Sequence, residues 1–349
     1  FFRGMDLVSL AGVVGVCWCL YRWLQSASNV RLSPVQANKR ARLFRQRVGW
    51  DASLPDLDPT VVDHNGMVSF SFEVTPDLLD CSQGLHFGAI LTMLDQYTSL
   101  ALAVGGSFGG VSVSMFASQL QPIPIGTMLQ VDAKVMKTGR TLAVTEARFH
   151  HVQSCESTLV AYGTHTKFIG LPILQRLLWG LINRFPALGT AISGWLLDRA
   201  ACKLCKGHIT TEELPKSAGY DCTLQPLTQS SPPAATPPST PFVLTLDHGF
   251  NKKHVNVYGK VHGGALATFV CRAAAAAAAR ASLRPSDRPL CVQSASIDYL
   301  AAAPPSRQIM AECQVLTAAE DQAACVLVEL LGNPRRLYCR GTVHLAPRG

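Results

Sequence analysis

Two stretches of this chain carry the same succession of hydrophobic patterns. In the first, residues 67–75 alternate apolar and polar and predict a strand, and residues 89–104 are apolar at helical spacing and predict one long helix. Residues 111–120, 128–137, 141–152 and 157–168 then read as four strands. In the second, residues 242–247 predict a strand and 265–282 a helix with seven consecutive alanines, followed by strands near 291–300, 308–316, 323–331 and 336–344. One strand, one helix and four strands, given twice, is the signature of an internal duplication. The alanine run fits a helix wrapped closely by a curved sheet, where only small side chains leave room for the approaching backbone.

Between the two copies the pattern changes. Residues 171–197 are apolar with sparse charges (Arg176, Arg184), include Trp179 and Trp195, and are broken by Pro186, Gly189 and Gly194. Two short amphipathic helices packed on a domain are expected there, with a membrane-surface segment as the alternative. Residues 225–241 hold six prolines among Ser and Thr, the composition of an extended linker. The organisation expected is therefore a tail at 1–50, a domain at 51–170, a helical insert and linker at 171–241, and a second domain at 242–349.

Composition refines this. Of 349 residues 48% are hydrophobic and 15% charged, too apolar for a disordered chain, and the mean hydropathy of +0.19 is too low for a multi-span membrane protein. The net charge of +8 belongs almost wholly to the tail: residues 1–50 hold eight Lys/Arg and one Asp, and the remainder is close to neutral. That removes the argument for a nucleic-acid partner. Residues 7–24 are apolar apart from Arg22 and would form a helix of about 27 Å, marginally long enough to span a bilayer. Arg31, Lys39, Arg40, Arg42, Arg45 and Arg47 follow it, which favours holding the globular part on the cytosolic or matrix side. An uncleaved anchor is the preferred reading, over a targeting segment or a buried helix. The mitochondrial inner membrane, matrix side, is the expected location.

The twelve cysteines are scattered and indicate a reducing compartment. Cys202 and Cys205, with His208 and Cys222, are the one weak zinc arrangement, and no metal site is expected. The sharper chemistry lies at the two helix starts. His262-Gly263-Gly264 opens the second helix, where unpaired backbone N–H groups and the helix dipole favour a developing oxyanion. In this reading His262 fixes the turn and the glycines admit the substrate; a purely structural turn is the alternative. Asp95 lies seven residues after Gly88 on the first helix, two turns on, among Leu91, Met93, Leu94 and Leu100. A buried carboxylate in apolar company is either a catalytic group or one satisfied by a structural partner.

Together these residues resemble the hotdog-fold acyl-CoA thioesterases, in the branch of the phenylacetate-pathway thioesterases and animal thioesterase superfamily member 2. The resemblance rests on Gly84-Leu-His-Phe-Gly-Ala-Ile-Leu-Thr-Met-Leu-Asp95, Gly110-Val-Ser-Val-Ser-Met115, Lys137-Thr-Gly-Arg-Thr-Leu-Ala143 and Gly163-Thr-His-Thr-Lys167 in the first half. In the second half it rests on Asn256-Val-Tyr-Gly-Lys-Val-His-Gly-Gly264 and, more weakly, on Ile297-Asp-Tyr-Leu300. It implies an α+β architecture of two hotdog domains, each a long helix wrapped by an antiparallel sheet, forming an intramolecular pseudo-dimer behind the N-terminal apolar helix.

The resemblance also implies roles. Asp95 is the expected general base or nucleophile, Ser112 positions water, Asn256 holds the thioester or the turn, and Arg140 and Lys167 meet the phosphates of coenzyme A, which enters only as part of the substrate. The halves depart from the pattern differently. Cys271 stands where Asp95 would be, and Val292, or Ser294 if the register slips by two, stands for Ser112. In the first half Asp80 replaces Asn256 and Phe87 the first glycine of the turn.

Since such domains pair with each site shared across the pair, Asn256, Gly263 and Gly264 with Asp95 and Ser112 make one intact composite site. The opposite combination lacks a base, and no nearby His supports Cys271 as a nucleophile. The expected activity is hydrolysis of acyl-CoA thioesters by a membrane-anchored chain, with pairing into a dimer of pseudo-dimers or membership of a membrane complex as its assembly options. The alternative is an inactive hotdog pair serving as a structural subunit of a mitochondrial membrane complex. A hotdog dehydratase is disfavoured, because its His-x-x-x-x-Pro-Gly turn is absent.

Overall fold

In a computed structural model, the described residues are 61–170 and 242–347, apart from short stretches at 63–66, 81–82, 106–109, 154–155, 247–249, 251–253, 257–258, 282–289, 306–308 and 319–322. The apolar segment at 7–24, the insert and linker at 171–241 and the Cys202 to Cys222 group lie outside them.

Strands β1 (Val61–Val62) and β2 (Val68–Glu73) lead through a 3-10 turn at Pro76–Leu78 into helix α1 (Phe87–Val104). Four strands follow: β3 (Val111–Gln119), β4 (Met128–Thr138), β5 (Leu142–Gln153) and β6 (Glu156–Phe168). The second half repeats this as β7 (Phe242–Leu246), α2 (Gly263–Ala281), β8 (Leu290–Tyr299), β9 (Ile309–Ala318), β10 (Ala324–Gly332) and β11 (Arg336–Pro347). All pairings are antiparallel, and among the described residues the strands form one sheet in the order β1-β2-β4-β5-β6-β3-β8-β11-β10-β9-β7. Leaving β1 aside, the two halves have the same strand order, joined at the β3–β8 seam. These are two hotdog domains in an intramolecular pseudo-dimer.

Alternation on the strands sends one face to the helices. On β5, Ala143, Thr145, Ala147 and Phe149 are buried, while Leu142, Val144 and Arg148 lie on the outer face. Small residues occupy much of the inner face, as a sheet curling round a helix requires. In α2, Ala273, Ala274, Ala277 and Ala278 are buried on one helical stripe. Helix α1 is buried on nearly all sides and, among the described residues, is the helix long and apolar enough by composition to cross a membrane; here it is the core of a hotdog domain. Phe70 of β2 stacks on Tyr97 of α1 with ring centroids 4.1 Å apart.

Irregularities locate the equivalent positions. The β3–β6 pairing matches Ser112 with Lys167, slips, and resumes at Ser114 with Thr166. The β8–β11 pairing matches Val292 with Leu345, slips, and resumes at Ser294 with His344. The same bulge in both copies makes Val292 the counterpart of Ser112, and Leu345 that of Lys167. Ser294 corresponds to Ser114.

Candidate active site

Both helices are entered by one device. Asp80 and Asn256 each close a short turn: Gly84 N–H donates to Asp80 Oδ1 and Lys260 N–H to Asn256 Oδ1, both at 3.2 Å. Isolated bridges Leu79–Leu85 and Val255–Val261 then lead to His86 and His262. Each histidine accepts, through Nδ1, the N–H of the residue two positions on: Gly88 at 2.9 Å and Gly264 at 3.0 Å. An Nδ1 that accepts carries no proton, so His262 holds its hydrogen on Nε2 and acts as an N-cap. Asn256 thus sets the turn, and the Gly264 N–H is already occupied. Of the two glycines expected to face an oxyanion, Gly263 is the one whose N–H meets no acceptor among the described residues.

The helices cross where each has a glycine and a threonine. A Cβ on Gly264 would fall 2.8 Å from the Cα of Thr92, and one on Gly88 2.5 Å from Thr268 Oγ1. Thr92 and Thr268 bond back to the carbonyls of Gly88 and Gly264, each at 2.8 Å. This close approach brings the second half's turn to the first half's carboxylate. A Cβ on Gly263 would lie 2.7 Å from Asp95 Oδ2 and 3.0 Å from Ser112 Oγ.

Asp95 is 4% exposed, and its two oxygens have different surroundings. Oδ1 accepts from Lys167 Nζ at 2.8 Å and from Ser112 Oγ at 3.3 Å, with His165 Nδ1 at 3.7 Å. Oδ2 faces the turn, 3.5 Å from His262 Nδ1. Burial by itself pushes the carboxyl up, but Lys167, together with His262 and His165 beside it, outweighs burial and holds Asp95 far below the usual carboxylate range. His165 is fully buried. Thr98 Oγ1 gives its proton to the Leu94 carbonyl at 2.6 Å and so accepts from His165 Nδ1 at 3.0 Å. Burial, and then the Lys167 charge, lower this histidine to about 3, and it is neutral.

Among the described residues, the opposite combination keeps Asp80 and His86 at its turn but has no acid, hydroxyl or ammonium facing it. Phe87 takes the place of Gly263, Cys271 that of Asp95, Val292 that of Ser112, and Leu345 that of Lys167. Burial raises the Cys271 thiol well above its ordinary range, so the thiolate needed for nucleophilic attack is not available there.

Lys167, expected to meet the phosphates of coenzyme A, is 2% exposed and ion-paired with Asp95, so its charge is spent inside the site. Arg140 is exposed in the turn between β4 and β5, at the sheet end next to the Ser112–Lys167–Ala143 row. Two residues at the site were not foreseen. His165 sits two places before Lys167 on the same strand face, a spacing the sequence displayed. Tyr299 of β8 donates from its hydroxyl to the Gly263 carbonyl at 2.9 Å, and burial followed by the Asp95 charge pushes its phenol well up.

The chain is similar to known proteins. A family model described as the thioesterase superfamily matches this chain twice, over residues 83–156 and 258–330, one match in each copy. Human acyl-coenzyme A thioesterase 13 is 30% identical over 137 residues, 39% of this chain and 91% of that protein. A Caenorhabditis elegans protein described as an esterase is 35% identical over 132 residues, 37% of this chain and 76% of that protein. The chain belongs to the thioesterase superfamily. A solved 12:0-ACP thioesterase from Umbellularia californica shares the fold across 82% of this chain and 95% of its own, with a TM-score of 0.53 at 8% identity. The two matched segments fall one in each hotdog copy, with Asp95 in the first and Gly263 in the second.

Proposed function

We propose that this thioesterase-superfamily chain hydrolyses acyl-CoA thioesters at one composite site, formed where the Gly263 turn of α2 faces Asp95 of α1. The observation that carries this reading is the juxtaposition of Asp95 Oδ2 with Gly263 across the helix pair, beside Ser112. The thioester carbonyl is placed with its oxygen at the Gly263 N–H, at the positive end of α2, where charge developing on that oxygen is stabilised. Ser112 and Asp95 hold a water against the carbonyl carbon. As the water oxygen bonds to that carbon, one of its protons passes to Asp95 Oδ2. Collapse of the tetrahedral intermediate breaks the C–S bond. The sulfur takes that proton and leaves as the coenzyme A thiol, freeing the acid and restoring the carboxylate. Arg140 is the basic group proposed to meet the phosphates of coenzyme A.

In the same proposal, the apolar segment at 7–24 and its basic flank attach the chain to a membrane, with the mitochondrial inner membrane, matrix side, preferred from the charge order.

Release of coenzyme A thiol, followed with the full chain over acyl-CoAs of increasing chain length, tests the reading. Turnover on at least one substrate is expected, reduced to background in Asp95→Asn. No turnover on any of them by a folded parent would return the chain to the alternative, a structural hotdog pair in a membrane complex.

A further inference from the structure

Lys167 remains to be explained. A lysine 2% exposed is uncommon, since burying an ammonium is costly unless a partner repays the lost hydration. Its Nζ lies 2.8 Å from Asp95 Oδ1, across 72 residues of sequence. It takes one oxygen and leaves the other to the turn: Oδ1 gathers Lys167 and Ser112, while Oδ2 is the atom near Gly263 and His262. The chain also supplies its own comparison. In the second copy, where the acid is Cys271, the lysine position is Leu345 and the serine position Val292. Carboxylate and ammonium are present together in one site and absent together from the other.

We propose that Lys167 is a positioning residue for the reaction: by binding Oδ1 it turns Oδ2 toward the Gly263 turn and keeps the carboxylate ionised across the working pH range. The proposal rests on the reading of Asp95 as the base. The groups facing Asp95 are Lys167 and His165 from β6, Ser112 from β3, His262 from the turn before α2 and Tyr299 from β8. Among them Lys167 makes the shortest contact, its Nζ 2.8 Å from Oδ1. His262 accepts through Nδ1, His165 is neutral, and the Tyr299 phenol keeps its proton. Removing Lys167 takes away the strongest influence that lowers the Asp95 carboxyl and leaves burial, which raises it, so the carboxyl is expected to move up.

The test compares parent, Lys167→Met and Lys167→Gln, the last keeping an N–H donor without the charge. The parent profile of kcat is expected to show no acid limb between about pH 5 and 7. Each variant gains one: activity falls as pH drops through the raised carboxyl and returns as pH rises, with at least a tenfold loss of kcat near pH 5 and KM within about twofold. A raised KM with an unchanged pH profile overturns the proposal in favour of phosphate binding. Carboxyl carbon NMR of the labelled aspartates, with the Asp95 signal identified by its loss in Asp95→Asn, decides the point without turnover. Asp95 should stay ionised to about pH 4 in the parent and titrate above that in the variants. A parent Asp95 that titrates near its ordinary value overturns the proposal. A parent with a held carboxylate but no turnover overturns the hydrolase reading and leaves the ion pair standing. Where Lys167→Met does not fold, Lys167→Gln carries the comparison.

Discussion

Replacing Gly263 by alanine adds one methyl group at the point where the two halves meet. Its Cβ would lie 2.7 Å from Asp95 Oδ2 and 3.0 Å from Ser112 Oγ. To restore ordinary van der Waals contact at 3.4 Å, the carboxylate oxygen must withdraw by about 0.7 Å and the hydroxyl by about 0.4 Å. Asp95 has little room to do so, because Lys167 holds its other oxygen at 2.8 Å. A misplacement of about 1 Å in a reacting group costs on the order of a hundredfold in rate, so kcat should fall between about 10- and 100-fold, or about 1.4 to 2.7 kcal/mol of barrier. Stability should change little, because alanine favours the helix by up to about 1 kcal/mol over glycine and offsets part of the strain. Gly264→Ala should behave differently: its Cβ meets the Thr92 backbone at 2.8 Å, so it forces the helices apart and costs about 1 to 3 kcal/mol of stability. Steady-state thiol release and urea unfolding on both variants separate the effects. Gly263→Ala with parental kcat, on a preparation that turns over acyl-CoA, would refute the placement of the carbonyl at this turn.

Other predictions follow from the same contacts. Tyr299→Phe removes the hydrogen bond to the Gly263 carbonyl, worth about 1 kcal/mol, and should lower kcat roughly fivefold with KM little changed, read in the same assay. Thr268→Val loses the bonds to the Gly264 and Gly88 carbonyls and should cost about 1 kcal/mol in urea unfolding, as should Thr92→Val. Cys271 and Cys339, buried with thiols pushed well up, should resist iodoacetamide until the chain unfolds, as read by mapping modified peptides by mass spectrometry. Installing Cys271→Asp, Val292→Ser and Leu345→Lys together should give no second site while Phe87 remains, because its side chain stands where Gly263 leaves space.

Much of this architecture was legible in the sequence because its periodicities are unambiguous. The two helices begin two residues earlier than the pattern alone suggested, at Phe87 and Gly263, because the histidine cap lies before the apolar run rather than within it. The strands β3 to β6 and β8 to β11 fall within one to three residues of the alternating runs, since a sheet wrapped on one face leaves a clean two-residue period. The two-residue strand β1 carries no such period and was not seen. The juxtaposition of Asp95 with Gly263 could be anticipated only by treating the chain as a pair, which the duplication invited. The pairing of Lys167 with Asp95 has no local signal in the sequence. A charged residue near a strand end ordinarily points to water, and its carboxylate partner lies on a helix 72 residues away. Tyr299 lies in the Ile297–Leu300 stretch of the resemblance, but its counterpart in the first copy is Gln119 and nothing local marks its hydroxyl as belonging to a turn 36 residues earlier.

The central claim is that one site per chain exists, built from the acid of the first half and the turn of the second. Its most direct measurement is kcat/KM for an acyl-CoA that the parent hydrolyses, taken on the full chain with Asp95→Asn and, separately, Cys271→Ala. Background activity is expected in Asp95→Asn, and activity within about twofold of the parent in Cys271→Ala. Substantial activity in Asp95→Asn, or its loss in a folded Cys271→Ala, would contradict it.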